Sequence, residues 1–268
     1  MTRSSDPVPS AAPQPDTSQD THPPDNANSK PDLRLHQEDL RHPGTKTFTL
    51  LIPDLVAVLE TALTHIVANL YTPPPPSSHR TFTPSVPATR SVTFVLREFS
   101  GVAYTVGRGD DKEIDLSLSY IVQSGRYADP AAELRGVLTH ELVHCYQHTA
   151  PPCAKNDCDM PQPPGGLIEG VADFVRLKAG LVPPHWTRPR SAKERPEKWD
   201  QGYQHTAFFF EWLEDARVGK GAVGMLNDRL LRVGYRDGFW RSLFGADVEQ
   251  LWEEYGLYLD TIPRPQEP

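Results

Sequence analysis

The chain has 268 residues, 38% of them hydrophobic, with a formal charge of −8, enough for one large domain or two small ones. The acidic balance offers no basic stripe to neutralise phosphates, which argues against a nucleic-acid partner. No stretch approaches the roughly 18 apolar residues of a membrane span. The N-terminal MTRSSDPVPSAAPQPDTSQD lacks the apolar centre of a secretory signal, so the sequence by itself points to the cytoplasm.

Proline reaches 28 residues, which suggests that part of the chain does not pack. The first 44 residues are rich in Pro, Ser, Asp, Asn and Gln, and the first aromatic residue is Phe48. Such a segment cannot bury enough apolar surface to offset its ordering entropy. The expected organisation is a disordered tail over 1–45, one folded domain over 46–262 and a short tail over 263–268. In IPDLVAVLETALTHIVANLY, Leu55, Val58, Leu59, Leu63, Ile66, Val67 and Leu70 recur at three- and four-residue spacing, which predicts an amphipathic helix with Pro53 near its first turn. The prolines of TPPPPSS then favour a stiff polyproline connector.

Three strand-like runs follow: SVTFVLREF (91–99), VAYTVGR (102–108) and EIDLSLSYI (113–121). The third alternates Ile114, Leu116, Leu118 and Tyr120 against Asp115, Ser117 and Ser119, the period of a half-buried strand. Their short connections favour antiparallel pairing. From Asp129 the pattern is mainly helical. Asp129 can cap, Pro130 suits the first helical position, and AAELRGVLTHELVHCYQH runs on without a breaker. After a Pro/Gly-rich loop (150–166) come GLIEGVADFVRLKAG, HTAFFFEWLEDA, VGMLNDRLLRV and DVEQLWEEYGLYL. The fold class expected is α+β, a small sheet followed by a helical C-terminal half.

The chemistry concentrates in HELVH, residues 140–144. Positions four apart on a helix share a face, with Cβ atoms about 6 Å apart. His140 and His144 can therefore each point a ring nitrogen at one ion about 2 Å away. Glu141 is turned roughly 100° from His140 and about 60° from His144. It is off the metal but within reach of a water on it, the position of a general base. The alternative is a helix that carries two histidines by chance.

A catalytic zinc needs a third protein ligand. His148 lies roughly 12 Å from His140 along an unbroken helix, so it does not serve without a helix break. Glu169 and Asp173 are the better candidates. They are four apart in an otherwise apolar helix, where two carboxylates are expensive unless something cationic compensates them. Glu169 would complete a His2Glu set, and Asp173 would accept the N–H of a ligand imidazole and fix its tautomer. The competing reading pairs Glu169 or Asp173 with Arg176 in a structural ion pair.

The segments GVAYTVGRGDDKEIDLSLSYI, LTHELVHCYQH, GGLIEGVADFVRLKAGLVPPHW and WDQGYQHTAFFFEWLE follow one another as in the basic secretory protein family of plants, fungi and bacteria, which the chain resembles over about residues 46–260. That family is a group of zincin-like, gluzincin-type peptidases. The resemblance implies a zincin-like domain in which a small mixed sheet packs on the HExxH helix. It further implies zinc on His140 and His144, Glu141 as catalytic acid and base, and an E-x-x-x-D block on Glu169 and Asp173. Its G-Y block falls on Gly202 and Tyr203. A phenol or imidazole near the zinc would donate to a developing oxyanion, with Tyr203 and His205 as candidates and buried packing as the other reading of Tyr203.

The function so implied is zinc-dependent hydrolysis of peptide or protein substrates by a monomer. The alternative is a metal-binding defence-type protein that keeps the fold without proteolysis. The chain departs from the resemblance in being acidic, in lacking a visible signal where the family suggests secretion, and in its long 150–166 loop. Cys145, His148, Cys153 and Cys158 carry the intervals of a rearranged zinc knuckle. For Cys153 and Cys158 the readings are a disulfide, free thiols or a second zinc, and Cys145 reads as a small core residue.

Overall fold

The computed structural model describes residues 30–152, apart from residues 77 and 79, and residues 161–263. The Pro-rich segment before residue 30, Cys153, Cys158 and residues 264–268 lie outside the described residues, and so do the expectations that rest on them. The described chain is mixed α and β. In order it forms β1 (Asp32–Gln37), α1 (Pro43–Leu51), α2 (Leu55–Leu70), β2 (Ser91–Arg97), β3 (Ala103–Arg108) and β4 (Asp111–Ser117). Then follow α3 (Leu118–Ser124), α4 (Pro130–Tyr146), α5 (Gly165–Lys178), α6 (Tyr203–Trp212), α7 (Ala222–Arg232), α8 (Phe239–Phe244) and α9 (Val248–Thr261). A single π-helical turn, Leu213–Arg217, extends α6.

The sheet has the order β1-β2-β4-β3. β1 and β4 flank β2 in parallel, while β3 runs antiparallel to β4 and forms an edge. Phe94 faces Ile114 and Leu96 faces Leu116 in that register, and all four are buried. α4 packs on β3 and β4 and is flanked by α2 and α5. α5 and α6 approach so closely that a Cβ on Gly170 would sit 2.3 Å from Thr206 Cγ2. Among the described residues no single helix is long and apolar enough to cross a membrane.

Four expectations are corrected. The packed chain begins well before residue 46, because Asp32–Gln37 pairs with β2 and α1 opens at Pro43. DLRLHQ alternates weakly, and its strand character comes from the partner rather than from its own apolar content. The third strand run stops at Ser117, whose hydroxyl accepts from the Tyr120 N–H and starts α3. Leu118 and Ile121, three apart, are both buried in that helix. β3 pairs antiparallel with β4 as short connections favour, but β2 pairs with β4 in parallel instead of with β3. Finally, the HELVH helix ends at Tyr146, with Gln147 in extended backbone.

Candidate metal centre

Local chemistry explains why α4 is where it is. Asp129 Oδ1 accepts from the Ala132 N–H at 2.8 Å, Pro130 occupies the first turn, and Leu134, Val137, Leu138 and Leu142 are buried. At the other end the Tyr71 hydroxyl donates to the Tyr146 carbonyl, and Asn227 Oδ1 accepts from the His148 N–H at 2.8 Å. These bonds turn the chain out of the helix. His148 is carried away from the other histidines, and its Nε2–H donates to the Ser85 carbonyl at 2.8 Å. Burial lowers its pKa.

α5 lies across α4 and brings Glu169 to the two histidines. His140 Nε2 is 3.1 Å from Glu169 Oε2 and 3.1 Å from His144 Nε2, and His144 Nε2 is 3.7 Å from Glu169 Oε2. Two donors held at about 2.05 Å on tetrahedral zinc lie about 3.3 Å apart, so these three separations match the edges of one coordination tetrahedron. Among the described residues, His140, His144 and Glu169 form the one group of three that could hold a metal. A proton on His140 Nε2 can be directed at Glu169 or at His144, not at both. One cation among the three atoms satisfies all of them, so the donor set fits a divalent ion of borderline softness.

Two further side chains orient the imidazoles. His140 Nδ1–H donates to Asp173 Oδ1 at 2.6 Å, which leaves Nε2 as the atom turned to the centre. His144 Nδ1 lies 2.6 Å from the Gln147 side-chain nitrogen, while the buried Gln147 Oε1 has no partner. Rotating that amide by 180° lets Oε1 accept from Nδ1–H and turns the lone pair of His144 Nε2 to the centre as well. Burial by itself lowers the His140 pKa, but the Asp173 and Glu169 carboxylates overcome it and push it up to about 10. Burial likewise raises Glu169, and the two histidines outweigh it and hold the carboxyl well below the usual range.

Glu141 stays off the metal group. Its Oε2 accepts from the Thr105 hydroxyl at 2.7 Å. Asp173 does not meet Arg176, which instead bonds Glu133 at 3.0 Å through Nη2, while Tyr120 O–H donates to the other Glu133 oxygen at 2.6 Å. The structural ion pair considered for Glu169 or Asp173 is thus made by a different carboxylate. Tyr203 opens α6 directly after Gly202, whose α-carbon hydrogens face Gly166 and the Glu169 side chain. Its ring lies nearly parallel to that of His140, with centroids 6.2 Å apart, and is 57% exposed, so it is not a packing residue. Tyr203 is also the one non-glycine residue at positive φ (50°) among the described residues. The charge of Glu169, then burial, raises its pKa and keeps the phenol protonated. His205 does not line the cleft, and burial lowers its pKa.

The group opens into a cleft of about 800 Å³, walled by Tyr104 and Thr105 of β3, Val137 of α4, Trp186 and Tyr203. Sequence reasoning missed Thr105 and Gln147. Gln147 lies three positions after His144 and was open to detection by that spacing. Thr105 carries no local signal, because the sheet alone brings it to Glu141.

Comparison with known proteins completes the picture. Neither the curated proteins nor the solved structures include a match to the chain. The family model described as a peptidase of plants and bacteria matches residues 30–255. That span takes in β1 and every element through most of α9. The chain therefore belongs to the basic secretory protein family, the peptidases of plants and bacteria.

Proposed function

We propose that the protein is a zinc-dependent peptidase with a zincin-like fold, its metal held by His140, His144 and Glu169. The observation that carries this reading is the convergence of three ligand atoms at tetrahedral spacing, with Asp173 behind one of them. The family's description as peptidases supports the choice of peptide or protein as substrate.

A zinc ion held by His140, His144 and Glu169 would supply Lewis-acid chemistry to the water and the scissile carbonyl. Asp173 and Gln147 hold the two imidazoles in the tautomer that presents Nε2. Glu141 takes a proton from the attacking water and returns it to the leaving amine. Tyr203, kept protonated by the neighbouring Glu169 charge, donates to the oxyanion that develops on the scissile carbonyl. The extended substrate lies in the cleft between β3 and the α6 end.

The test is Glu141→Gln. Variant and wild type should each hold one zinc per chain, and the variant should lose peptide hydrolysis by about 1,000-fold or more. Equal hydrolysis by variant and wild type would sink the mechanism. Zinc-loaded wild type that cleaves nothing across a diverse peptide library would sink the peptidase reading itself.

A further inference from the structure

Glu141 is buried, and no cation lies within ion-pair distance of it among the described residues. A carboxylate in that setting needs fixed partners, or it samples several rotamers and loses its aim. Among the described residues its side chain has one hydrogen-bond partner, the Thr105 hydroxyl, at 2.7 Å from Oε2. The same hydroxyl lies 3.0 Å from the Glu141 main-chain carbonyl, so it bridges the backbone and the side chain of one residue. One hydroxyl carries one proton. The shorter, charge-assisted contact takes it, since a carboxylate is the stronger acceptor. Glu141 Oε1 has no protein partner among the described residues, and the residue lines the cleft.

Thr105 is itself held firmly. It sits in β3 opposite Ile114, a fully buried residue of the neighbouring strand, and its β-branched side chain has little freedom about χ1. Its neighbours Ala103 and Tyr104 also line the cleft. The strand that borders the substrate path therefore also aims the carboxylate.

We propose that Thr105 is the positioning residue of the Glu141 carboxylate. It pins Oε2 of Glu141 and so dedicates Oε1 to proton transfer. This assignment rests on the reading of Glu141 as the base, but the position of the carboxylate is testable apart from catalysis.

The experiment compares Thr105→Val, which keeps shape and strand preference but removes the hydroxyl, with Thr105→Ser, which restores it, in the full chain. Crystal structures of wild type and both variants read the carboxylate directly. Wild type and Thr105→Ser should hold Glu141 in one rotamer with Oε2 on the hydroxyl. Thr105→Val should show it displaced or spread over several rotamers. In steady-state hydrolysis of a peptide that the wild type cleaves, Thr105→Val should lower kcat about 10- to 100-fold, with KM within about twofold and zinc content unchanged. Thr105→Ser should recover most of the loss. A Glu141 rotamer unchanged in Thr105→Val overturns the proposal whether or not the protein cleaves peptides. So does a Thr105→Ser variant no better than Thr105→Val. Absence of hydrolysis by the wild type, with the carboxylate displaced in Thr105→Val, would instead sink the peptidase reading and leave the positioning role standing.

Discussion

Helices α4 and α5 meet at two polar clusters about two turns apart, and the two are built on opposite terms. In the first, Glu133, Arg176 and Tyr120 form a closed set: each carboxylate oxygen has its own donor, and the guanidinium also bonds the Leu181 carbonyl at 3.0 Å. In the second, His140, His144 and Glu169 turn acceptor atoms at one another across 3.1–3.7 Å, with at most a proton to share. The first cluster is sealed in the core and the second opens through Glu169 onto the cleft. The balance of donors against acceptors also separates them. A complete set is a piece of structure, and a set short of one cation is a place for a ligand.

Removing one member of the incomplete set should show the largest effect. Glu169→Ala or His144→Ala should weaken zinc binding by at least about 100-fold, and Asp173→Ala by about 10- to 100-fold, measured by metal analysis and competition with a chelator. If Glu169→Ala holds zinc as tightly as the wild type, the third ligand is misassigned and the contrast between the clusters collapses.

The closed cluster should answer in stability instead. Arg176→Met leaves the Glu133 charge buried with only Tyr120 beside it and should cost about 3–5 kcal/mol in urea unfolding of the zinc-loaded protein. Zinc stoichiometry should stay at one. Adding Glu133→Gln should return a good part of the loss. A variant that loses zinc along with stability would mean that the two clusters are one unit.

A proton-linkage measurement sharpens the same contrast. In the metal-free protein the His140 pKa, raised by Asp173 and Glu169 above its ordinary 6.5 to about 10, implies stabilisation that is full below about pH 6.5. That stabilisation is lost as pH rises through about 10. At pH 7 the imidazole therefore carries a proton that zinc must displace. Calorimetry in buffers of different ionisation enthalpy should find about one proton released from this residue per zinc bound. Zinc affinity should rise about tenfold per pH unit over that range. Release of no proton at pH 7 would contradict the proton-held state.

The smallest effect serves as the control. Lys178 bonds Asp215 at 2.9 Å on the surface of the same α5. Lys178→Ala should change unfolding free energy by less than about 1 kcal/mol and leave zinc content alone.

Much of this was legible in the sequence because it is local. The i, i+4 spacing of His140 with His144 and of Glu169 with Asp173, the Asp129 cap and the apolar faces of α2 and α4 are all written within one or two turns. What was not legible depends on partners distant in the chain. β1 is a strand because β2 offers it an edge, not because DLRLHQ demands it. The β4 alternation runs on past Ser117 by coincidence of period, and only the Ser117 cap ends it. α8, six residues between Gly238 and Gly245, is too short to carry a period of its own. The end of α4 at Tyr146 is set by Tyr71, just past α2, and by Asn227 of α7, so the local sequence alone predicts an unbroken helix through His148.

The left-handed backbone of Tyr203 has a consequence for how this chain can vary. A tyrosine at that φ costs of order 1–3 kcal/mol against glycine, and the close packing of Gly202 on Gly166 and Glu169 leaves the turn little room to relax. Tyr203→Gly should therefore raise the melting temperature while removing the phenol from beside His140. Random change under selection for stability alone would drift this position towards glycine. Under the proposed mechanism, that strain is the cost in stability of holding a phenol beside His140.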